Sequence, residues 1–247
     1  FLVLLHGGIA GLPAVPPRQW GGLLLTIVLA VFSQTLAFPT GVLLALGRRS
    51  TRHPIVQTLC TIYIEVVRSV PLVMILLMAT LILPLFLPPW LRPDTTLMAA
   101  VGITLFSAAS IAEVVRGGLA GVPRGQEEAA SSLGLTRVQT LRFIVLPQAL
   151  RRVQPALIGT FINFIKGSTL VVAIGLYDVL GGAVLAAANP RWVGHSIEPL
   201  MFVAFLFWLI CFSFSQYSRR LEGRYANRPA VAGASQETDM QGARQVG

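Results

Sequence analysis

The sequence predicts an all-α integral membrane protein with about five transmembrane helices, and three observations lead to this fold class. The 247 residues are 54% apolar and only 12% charged, whereas a soluble domain carries about 25% charged residues. The apolar residues form runs of roughly the 20 residues that a membrane span needs. The basic residues lie in the gaps between these runs and not on one solvated face, which argues against a nucleic-acid-binding protein despite the net charge of +9.

Five apolar runs are long enough to cross a membrane, and an amphipathic stretch precedes the second. The predicted spans are Trp20–Leu46, Val70–Leu87, Met98–Val115, Val153–Gly175 and Ile197–Tyr217. The stretch Ile55–Ser69 is expected to be a helix that leads into the second span. Its Glu65 and Arg68 are three residues apart, a spacing at which they can pair on one helix.

The distribution of basic residues predicts that the N-terminus lies outside and the C-terminus inside. In this orientation the inner segments hold Arg48, Arg49, Arg52, Arg116, Arg124, Arg137, Arg142, Arg151, Arg152, Arg219, Arg220, Arg224 and Arg228. The outer segments hold Arg18, Arg92 and Arg191. Trp20, Trp90 and Trp192 fall at the outer ends of spans, where indole rings favour the membrane interface.

The two ends of the chain lie outside the predicted bundle of residues 20–225. The apolar start of segment 1–19 is interpreted as the remainder of an upstream span, because it is short and lacks the basic flank of a signal peptide. Residues 226–247 are polar and show no apolar period, so a disordered tail is expected. Cys60 and Cys211 lie within apolar runs without metal or redox spacing, and no metal site is predicted.

The cytoplasmic loop 123–147 is predicted to form a helix–glycine–helix hairpin. Gly125–Leu133 is expected to be a short helix, and Gly134 suits the left-handed position that ends one. Thr136 and Gln139 form a capping box for a second helix, which is expected to run to Pro147.

Charge and side-chain size suggest a role for the first of these two helices. Glu127 and Glu128 lie in its first turn, where they suit the helix dipole. The small side chains of Ala129, Ala130 and Ser131 are expected to be exposed, which would let the surface of another protein approach closely. On physical grounds alone, an amphipathic loop resting on the membrane is an equally good interpretation.

The segment from Glu128 to Pro147 resembles the EAA signature of ABC-transporter permeases. It reads Glu-Ala-Ala, three residues, Gly134, nine residues, and then Ile144-x-Leu146-Pro147. In that family the first short helix is the coupling helix, which docks in a groove of the ATP-binding subunit. The resemblance implies that the docking residues are Gln126, Glu127, Glu128, Ala129, Ala130, Ser131, Leu133 and Gly134.

Further segments are similar to those of polar amino acid permeases. Tyr63–Leu72 resembles YxExxRxxPL, Ala112–Gln126 resembles AExxRGG…PxGQ, and Leu146–Arg151 resembles LPQAL(R/K). The chain most resembles the M-type permease subunits of general L-amino acid importers, with Gly167 where members commonly have Asp. The resemblance implies a type I ABC importer permease fold, a multi-pass place in the bacterial inner membrane, and a subunit that is not an enzyme.

The same resemblance implies several partners. These are a second permease subunit (a Q-type heterodimer partner or a second copy), two ATP-binding subunits, a periplasmic amino-acid-binding protein and membrane lipid, with no nucleic acid. The sequence contains no G-x-x-x-x-G-K-[ST] motif and so no phosphate-binding loop of its own. No cofactor is therefore expected in this chain, and ATP and Mg are expected in the partner ATPase.

Charged residues within the spans are the candidates for substrate binding. A charged side chain at mid-bilayer costs ~2.5–3.5 kcal/mol on insertion scales, so such residues tend to line cavities. An amino acid needs a cation for its carboxylate and an acid or several acceptors for its ammonium group, which Lys166 and Glu113 can supply. Hydroxyl groups are expected to come from Ser107, Ser110 and Thr169. An alternative is that Lys166 and Glu113 pair with each other and hold the bundle together.

Specificity and two other function classes depend on less direct features. Thr160, six residues before Lys166, is neutral, and the absence of an acid there favours broad or neutral specificity. An ATP-independent secondary transporter or channel is an alternative, but such folds usually show paired inverted repeats, and we find no internal repeat. A membrane anchor for a cytoplasmic enzyme would explain the hairpin but leaves Lys166 without a role.

Overall fold

The computed structural model of the protein describes residues 21–226, except 89, 91, 191–193 and 196. Within this range the chain forms helices and no strand. The helices are α1 (Gly22–Arg48), α2 (Pro54–Ser69), α3 (Leu72–Phe86), α4 (Thr95–Ala120), α5 (Arg124–Ser132), α6 (Arg137–Ile174), α7 (Val179–Ala187) and α8 (Ile197–Ala226). The predicted segment 1–19 and all of the predicted tail 226–247 except Ala226 lie outside the described residues. Arg18, Trp20, Arg191, Trp192 and Arg228 also lie outside them, and the orientation of the termini stays a prediction.

The helices confirm the predicted all-α membrane architecture. Among the described residues, α1, α4, α6 and α8 are long and apolar enough to cross a membrane. The pair α2 and α3 makes a fifth span if it counts as one, with a bend of 105° between the two helices. The amphipathic lead into the second span is therefore the separate helix α2.

The bend between α2 and α3 has a local cause in the sequence. Val70 adopts an extended conformation, with φ −97° and ψ 135°, between the end of α2 and Pro71. The proline ring disfavours a helical conformation in the residue before it, so the helix stops there. Pro71 then serves as the N-cap of α3, and the chain leaves in a new direction.

The second helix of the hairpin, expected to run towards Pro147, does not end at that proline. One helical element runs through this proline, from Arg137 to Ile174. A π-helical turn, Thr140–Val145, comes directly before the α-helical part Leu146–Gly167. A proline inside a regular α-helix clashes with the carbonyl four residues earlier, and the wider π turn relieves that conflict.

The short helix α7 packs beside the N-terminal end of α1. The fully buried Asp178 is its N-cap, and its carboxylate accepts a hydrogen bond of 2.9 Å from the backbone N–H of Gly181. The N–H of Val179 donates to the hydroxyl oxygen of Thr26 at 3.3 Å. These contacts fix the N-terminal end of α1, which is the end opposite to Arg48.

Close packing of α1 on α4 forms the centre of the bundle. A Cβ added at Gly41 of α1 would lie 2.7 Å from Cγ2 of Ile111 and 2.8 Å from the carbonyl oxygen of Ala108. Small residues at a helix interface let backbones approach closely, which is a common mode of association in membranes. In contrast, only 6% of the apolar window of α8 is buried, which leaves that helix available to lipid or to a partner.

Candidate functional site

The first helix of the loop 123–147 forms as predicted from its local sequence. The helix α5 follows Pro123 and has Glu127 in its first turn. Gly134 has φ +77°, the left-handed conformation expected of it. The N–H of Gly134 bonds to the carbonyl of Ser131, and the N–H of Leu135 bonds to the carbonyl of Ala130. This pair of bonds is a Schellman motif, so α5 has a defined end.

The second helix of the hairpin begins with the predicted capping box. The hydroxyl oxygen of Thr136 accepts from the backbone N–H of Gln139, and the Gln139 side chain accepts from the N–H of Thr136 at 2.8 Å. The chain therefore turns back at Gly134 and returns to the membrane as α6. The turn presents α5 at the edge of the bundle.

The two faces of α5 have different environments. Glu127 forms an ion pair with Arg49 at the end of α1, and the Gln148 side chain of α6 donates to Gln126 at 3.0 Å. Ala130 is on the same side as Glu127 and is only 4% exposed. The prediction that Ala130 is exposed is therefore wrong, because residues three apart share one side of a helix.

The opposite side of α5 is exposed. The exposed residues on it and at its end are Glu128, Ala129, Ser131, Ser132 and Leu133. Leu133 is 81% exposed although it is apolar. A row of small side chains beside an exposed leucine is a surface that another protein can approach closely.

A cluster of charges lies where α1, α2 and α4 meet. Glu113 of α4 accepts from Arg116 at 2.5 Å and from Arg48 at 3.2 Å. The other guanidinium nitrogen of Arg48 lies 2.8 Å from Glu65, and Arg68 lies 3.7 Å from Glu113. The predicted pair of Glu65 with Arg68 is therefore wrong, because Arg48 enters from α1 and each of the two residues finds a partner on another helix.

A pocket of about 360 Å³ opens beside this cluster, between the α2–α3 bend, α4 and α6. Its walls combine charged, polar and aromatic side chains. The lining residues are Arg68, Leu72, Phe106, Ser110, Glu113, Val114, Thr160, Asn163 and Phe164. The rings of Phe106 and Phe164 meet edge to face, 5.9 Å apart, and hold α4 and α6 together beside the pocket.

Three of the six predicted substrate residues line this pocket, namely Ser110, Glu113 and Thr160. Ser110 and Thr160 donate to carbonyl groups of their own helices, at 3.3 Å and 2.9 Å. A hydroxyl that donates one hydrogen bond can still accept others. Ser107 does not reach the pocket, because it is fully buried and accepts a hydrogen bond of 3.0 Å from the Gln34 side chain.

Lys166 and Thr169 do not line the pocket. With 3.6 residues per turn, Lys166 lies about a third of a turn from Thr160 and about a sixth of a turn from Asn163 around the helix. The Lys166 side chain is exposed. The hydroxyl of Thr169 donates to the backbone carbonyl oxygen of Lys166 at 2.8 Å. The alternative of a Lys166–Glu113 pair is wrong, because the ion pairs of Glu113 are made with arginines.

Sequence reasoning missed Arg68 and Asn163 as pocket residues. The spacing of Glu65 and Arg68 predicts a local pair, but Arg68 lines the pocket close to the helix break at Pro71. Asn163 lies one turn beyond Thr160 on the same face of α6. In the part of the chain that the structure describes, no group of three or more His, Cys, Asp or Glu side chains is arranged to hold a metal ion.

Comparison with known proteins places this geometry in context. The family described as binding-protein-dependent transport system inner membrane component matches residues 37–227. The inner membrane amino-acid ABC transporter permease protein YhdY of Escherichia coli K12 is 46% identical over 222 residues, which cover 90% of this chain and 60% of that protein. The glutamate/glutamine/aspartate/asparagine transport system permease protein BztC of Rhodobacter capsulatus is 46% identical over 212 residues, 85% of this chain and 49% of that protein.

The chain thus spans about half to three-fifths of the length of these two relatives. A solved structure also has a similar fold. The crystal structure of an amino acid ABC transporter with histidines superposes with a TM-score of 0.72 and 30% sequence identity, over 82% of this chain and 92% of that one.

Proposed function

Because this chain belongs to the family of binding-protein-dependent transport system inner membrane components, we propose that it is the permease subunit of an ABC importer that moves polar L-amino acids into the cytoplasm. Members of this family are transport components of the inner membrane and are not enzymes. Its homologues are permease subunits of amino-acid ABC importers. The resemblance of the sequence to amino-acid ABC-transporter permeases is therefore confirmed.

The observation that carries the proposal is the pairing of opposite charges on the wall of one pocket. An amino acid is a zwitterion, and Arg68 and Glu113 offer a cation for its carboxylate and an anion for its ammonium group. The volume of about 360 Å³ is near the lower end of the range for small-molecule sites, roughly 300–1,000 Å³. Arginine also suits a carboxylate because its planar fork binds two oxygens at once.

The remaining polar groups of the pocket support a preference for neutral or acidic amino acids. Thr160, Asn163 and Ser110 can donate to or accept from a polar side chain, and none of them carries a charge. Glu113 is already surrounded by three arginines, so the pocket has a surplus of positive charge. A cationic substrate side chain would meet repulsion there, whereas glutamine or glutamate would not.

Energy for transport is proposed to come from separate ATP-binding subunits that dock on the exposed side of α5. The chain has no phosphate-binding loop, so ATP and Mg would be held by those subunits. Two copies of the ATPase, a second permease subunit of the Q type or a second copy of this chain, and a periplasmic amino-acid-binding protein would complete the importer. The orientation suggested by the arginines would place α5 on the cytoplasmic side.

The proposed cycle uses α5 as a mechanical link. Binding of ATP would close the ATPase dimer, bring the two docking helices together, and switch the pocket from the inner to the outer side. The links of α5 to α1 through Glu127 and to α6 through Gln126 supply the connection. Coupling between sites is reciprocal, so delivery of substrate from outside would in turn favour ATP hydrolysis.

Purification of the complex through a tag on this chain tests the proposal. In mild detergent, mass spectrometry of the co-purified proteins should identify an ATP-binding subunit and a permease partner. In liposomes, uptake of labelled L-glutamine and L-glutamate should require ATP and should exceed uptake of L-arginine. Uptake that continues without ATP would instead support a secondary transporter and would contradict the proposal.

A further inference from the structure

Two consecutive arginines at the C-terminal end of α1 bind carboxylates in different parts of the molecule. Arg48 contacts Glu113 on the pocket wall at 3.2 Å and Glu65 of α2 at 2.8 Å. Arg49 forms an ion pair with Glu127 on the bundle side of α5. Successive residues point about 100° apart in a helix, so one end of α1 reaches both the pocket and the docking helix.

We propose that Arg48 and Arg49 together couple occupancy of the pocket to the position of α5, with Arg49 as the positioning residue. The inference rests on the proposed function, because it concerns how a transported ligand signals to an ATPase docked on α5. The proposal places the coupling between the pocket and α5 at the C-terminal end of α1. It also separates the roles of two adjacent glutamates in the docking helix.

Competition for Glu113 is the physical basis of the first step. Three arginines share this one carboxylate, and Arg68 lies 3.7 Å from it, beyond hydrogen-bond distance. A ligand ammonium group in the pocket would compete with the arginines for the oxygens of Glu113. Arg48 has a second carboxylate partner in Glu65, so it can shift its hydrogen bonds towards α2 without becoming unpaired.

The second step follows from the direct bond between neighbouring residues. Because Arg49 is covalently joined to Arg48, a displacement of the end of α1 also moves the guanidinium group that holds Glu127. The Gln148 side chain of α6 donates a hydrogen bond to Gln126 of α5, and Ala130 of α5 is buried. The Arg49–Glu127 ion pair connects α5 to α1 as well, so movement of α1 relative to α6 would tilt α5.

The exposure of these groups shows that the ion pair has little to do with holding the fold together. The Arg49 and Glu127 side chains are 40% and 43% exposed, and exposed ion pairs contribute little to stability. Glu128, the next residue, points away from the bundle and is exposed. Glu127 is therefore assigned to the tie with α1 and Glu128 to the outer surface.

Substrate stimulation of ATP hydrolysis in the full complex tests the inference. The complex is reconstituted in nanodiscs, and the ATPase rate is measured with and without L-glutamine delivered by the cognate binding protein. Arg49→Ala, Glu127→Ala and the double variant are compared with wild type. Each single variant should lower the ratio of stimulated to unstimulated rate by about two- to fivefold, the range that one half-exposed ion pair can supply.

A double-mutant cycle and a neighbouring arginine supply the controls. The double variant should lose no more than either single one, because all three lack the same interaction. Arg52→Ala removes an exposed arginine from the same loop and should keep the wild-type ratio. The inference is overturned if Arg49→Ala keeps that ratio, if the losses add in the double variant, or if Arg52→Ala reduces the ratio equally.

The same assay distinguishes failure of this inference from failure of the proposed function. If the wild-type ATPase responds to no amino acid, the importer assignment fails, and this inference fails with it. If the wild type responds and Arg49→Ala responds equally, the importer assignment stands and only the coupling through α1 is rejected.

Discussion

Arg68 and Glu113 face each other on the wall of one pocket, with a guanidinium nitrogen and a carboxylate oxygen 3.7 Å apart. This separation is too long for a hydrogen bond, although the charges are opposite. Glu113 is held in place by Arg116 and Arg48, so it does not need Arg68 as a structural partner. Under the proposed function, Arg68 would therefore bind the carboxylate of a ligand.

Substitution of Arg68 distinguishes this geometry from the site expected from the sequence. Arg68→Ala should reduce kcat/KM for L-glutamine uptake at least about tenfold, because it leaves a ligand carboxylate without its counter-charge. Lys166→Ala should have little effect, because Lys166 lies outside the pocket. Uptake by both variants in liposomes measures the difference. If Lys166→Ala is the inactive variant, the pocket is misassigned.

A negative charge at position 160 should change specificity. Thr160→Asp places a carboxylate on the pocket wall, where it attracts a cationic side chain and repels an anionic one. Uptake of L-arginine relative to L-glutamate should rise by about tenfold, with Thr160→Asn as the neutral control. Competition between the two labelled amino acids reports the ratio directly, and an unchanged ratio would place Thr160 away from the substrate side chain.

A large side chain on the outer face of α5 should block docking of the ATPase. Ala129 is exposed there, so Ala129→Trp should leave the permease folded but reduce recovery of the ATP-binding subunit in a pull-down by about tenfold, which corresponds to roughly 1.4 kcal/mol of binding free energy. Ala188→Trp makes the same change at an exposed alanine after α7. Loss of the ATPase from this control as well would indicate a general effect on the membrane bundle.

The end of α5 depends on the left-handed conformation of Gly134. Gly134→Ala should cost about 1–2 kcal/mol through backbone strain and should weaken ATPase binding. The strain is the only expected cause, because a Cβ at Gly134 would meet no other atom within 4 Å. Gly125→Ala, at a position with equally open space but no positive φ, is the matched control. Thermal unfolding and the pull-down on both variants test the difference, and equal behaviour would contradict a role for the turn.

Two adjacent glycines of α4 differ in what surrounds them. A Cβ at Gly118 would lie 2.6 Å from Cγ1 of Val153 and 2.9 Å from the carbonyl oxygen of Ala149, whereas Gly117 has nothing within 4 Å. Gly118→Ala should therefore force α4 and α6 apart and destabilise the protein by about 1–3 kcal/mol. Gly117→Ala should be neutral or slightly stabilising. Melting temperatures in detergent provide the comparison, and equal values would mean that the two helices are not closely packed.

Local features of the sequence were sufficient for the spans and the hairpin. Apolar runs of sufficient length predict spans because the backbone must satisfy its hydrogen bonds internally in lipid, and the bend at Pro71 and the turn at Gly134 follow from the allowed conformations of single residues. The continuity of α6 was not predicted, because a π turn lets the helix continue through Pro147. That turn is not evident from residue types alone.

The sequence by itself determined the membrane class, the family and the ends of α5, because each depends on composition or on residues a few positions apart. Tertiary structure decided which charges meet. Glu65 binds Arg48 instead of Arg68, Glu113 binds arginines instead of Lys166, and Ala130 faces the bundle. These outcomes depend on which helix faces touch and on the rotation of each helix about its axis, and neither quantity is encoded in the spacing along a single helix.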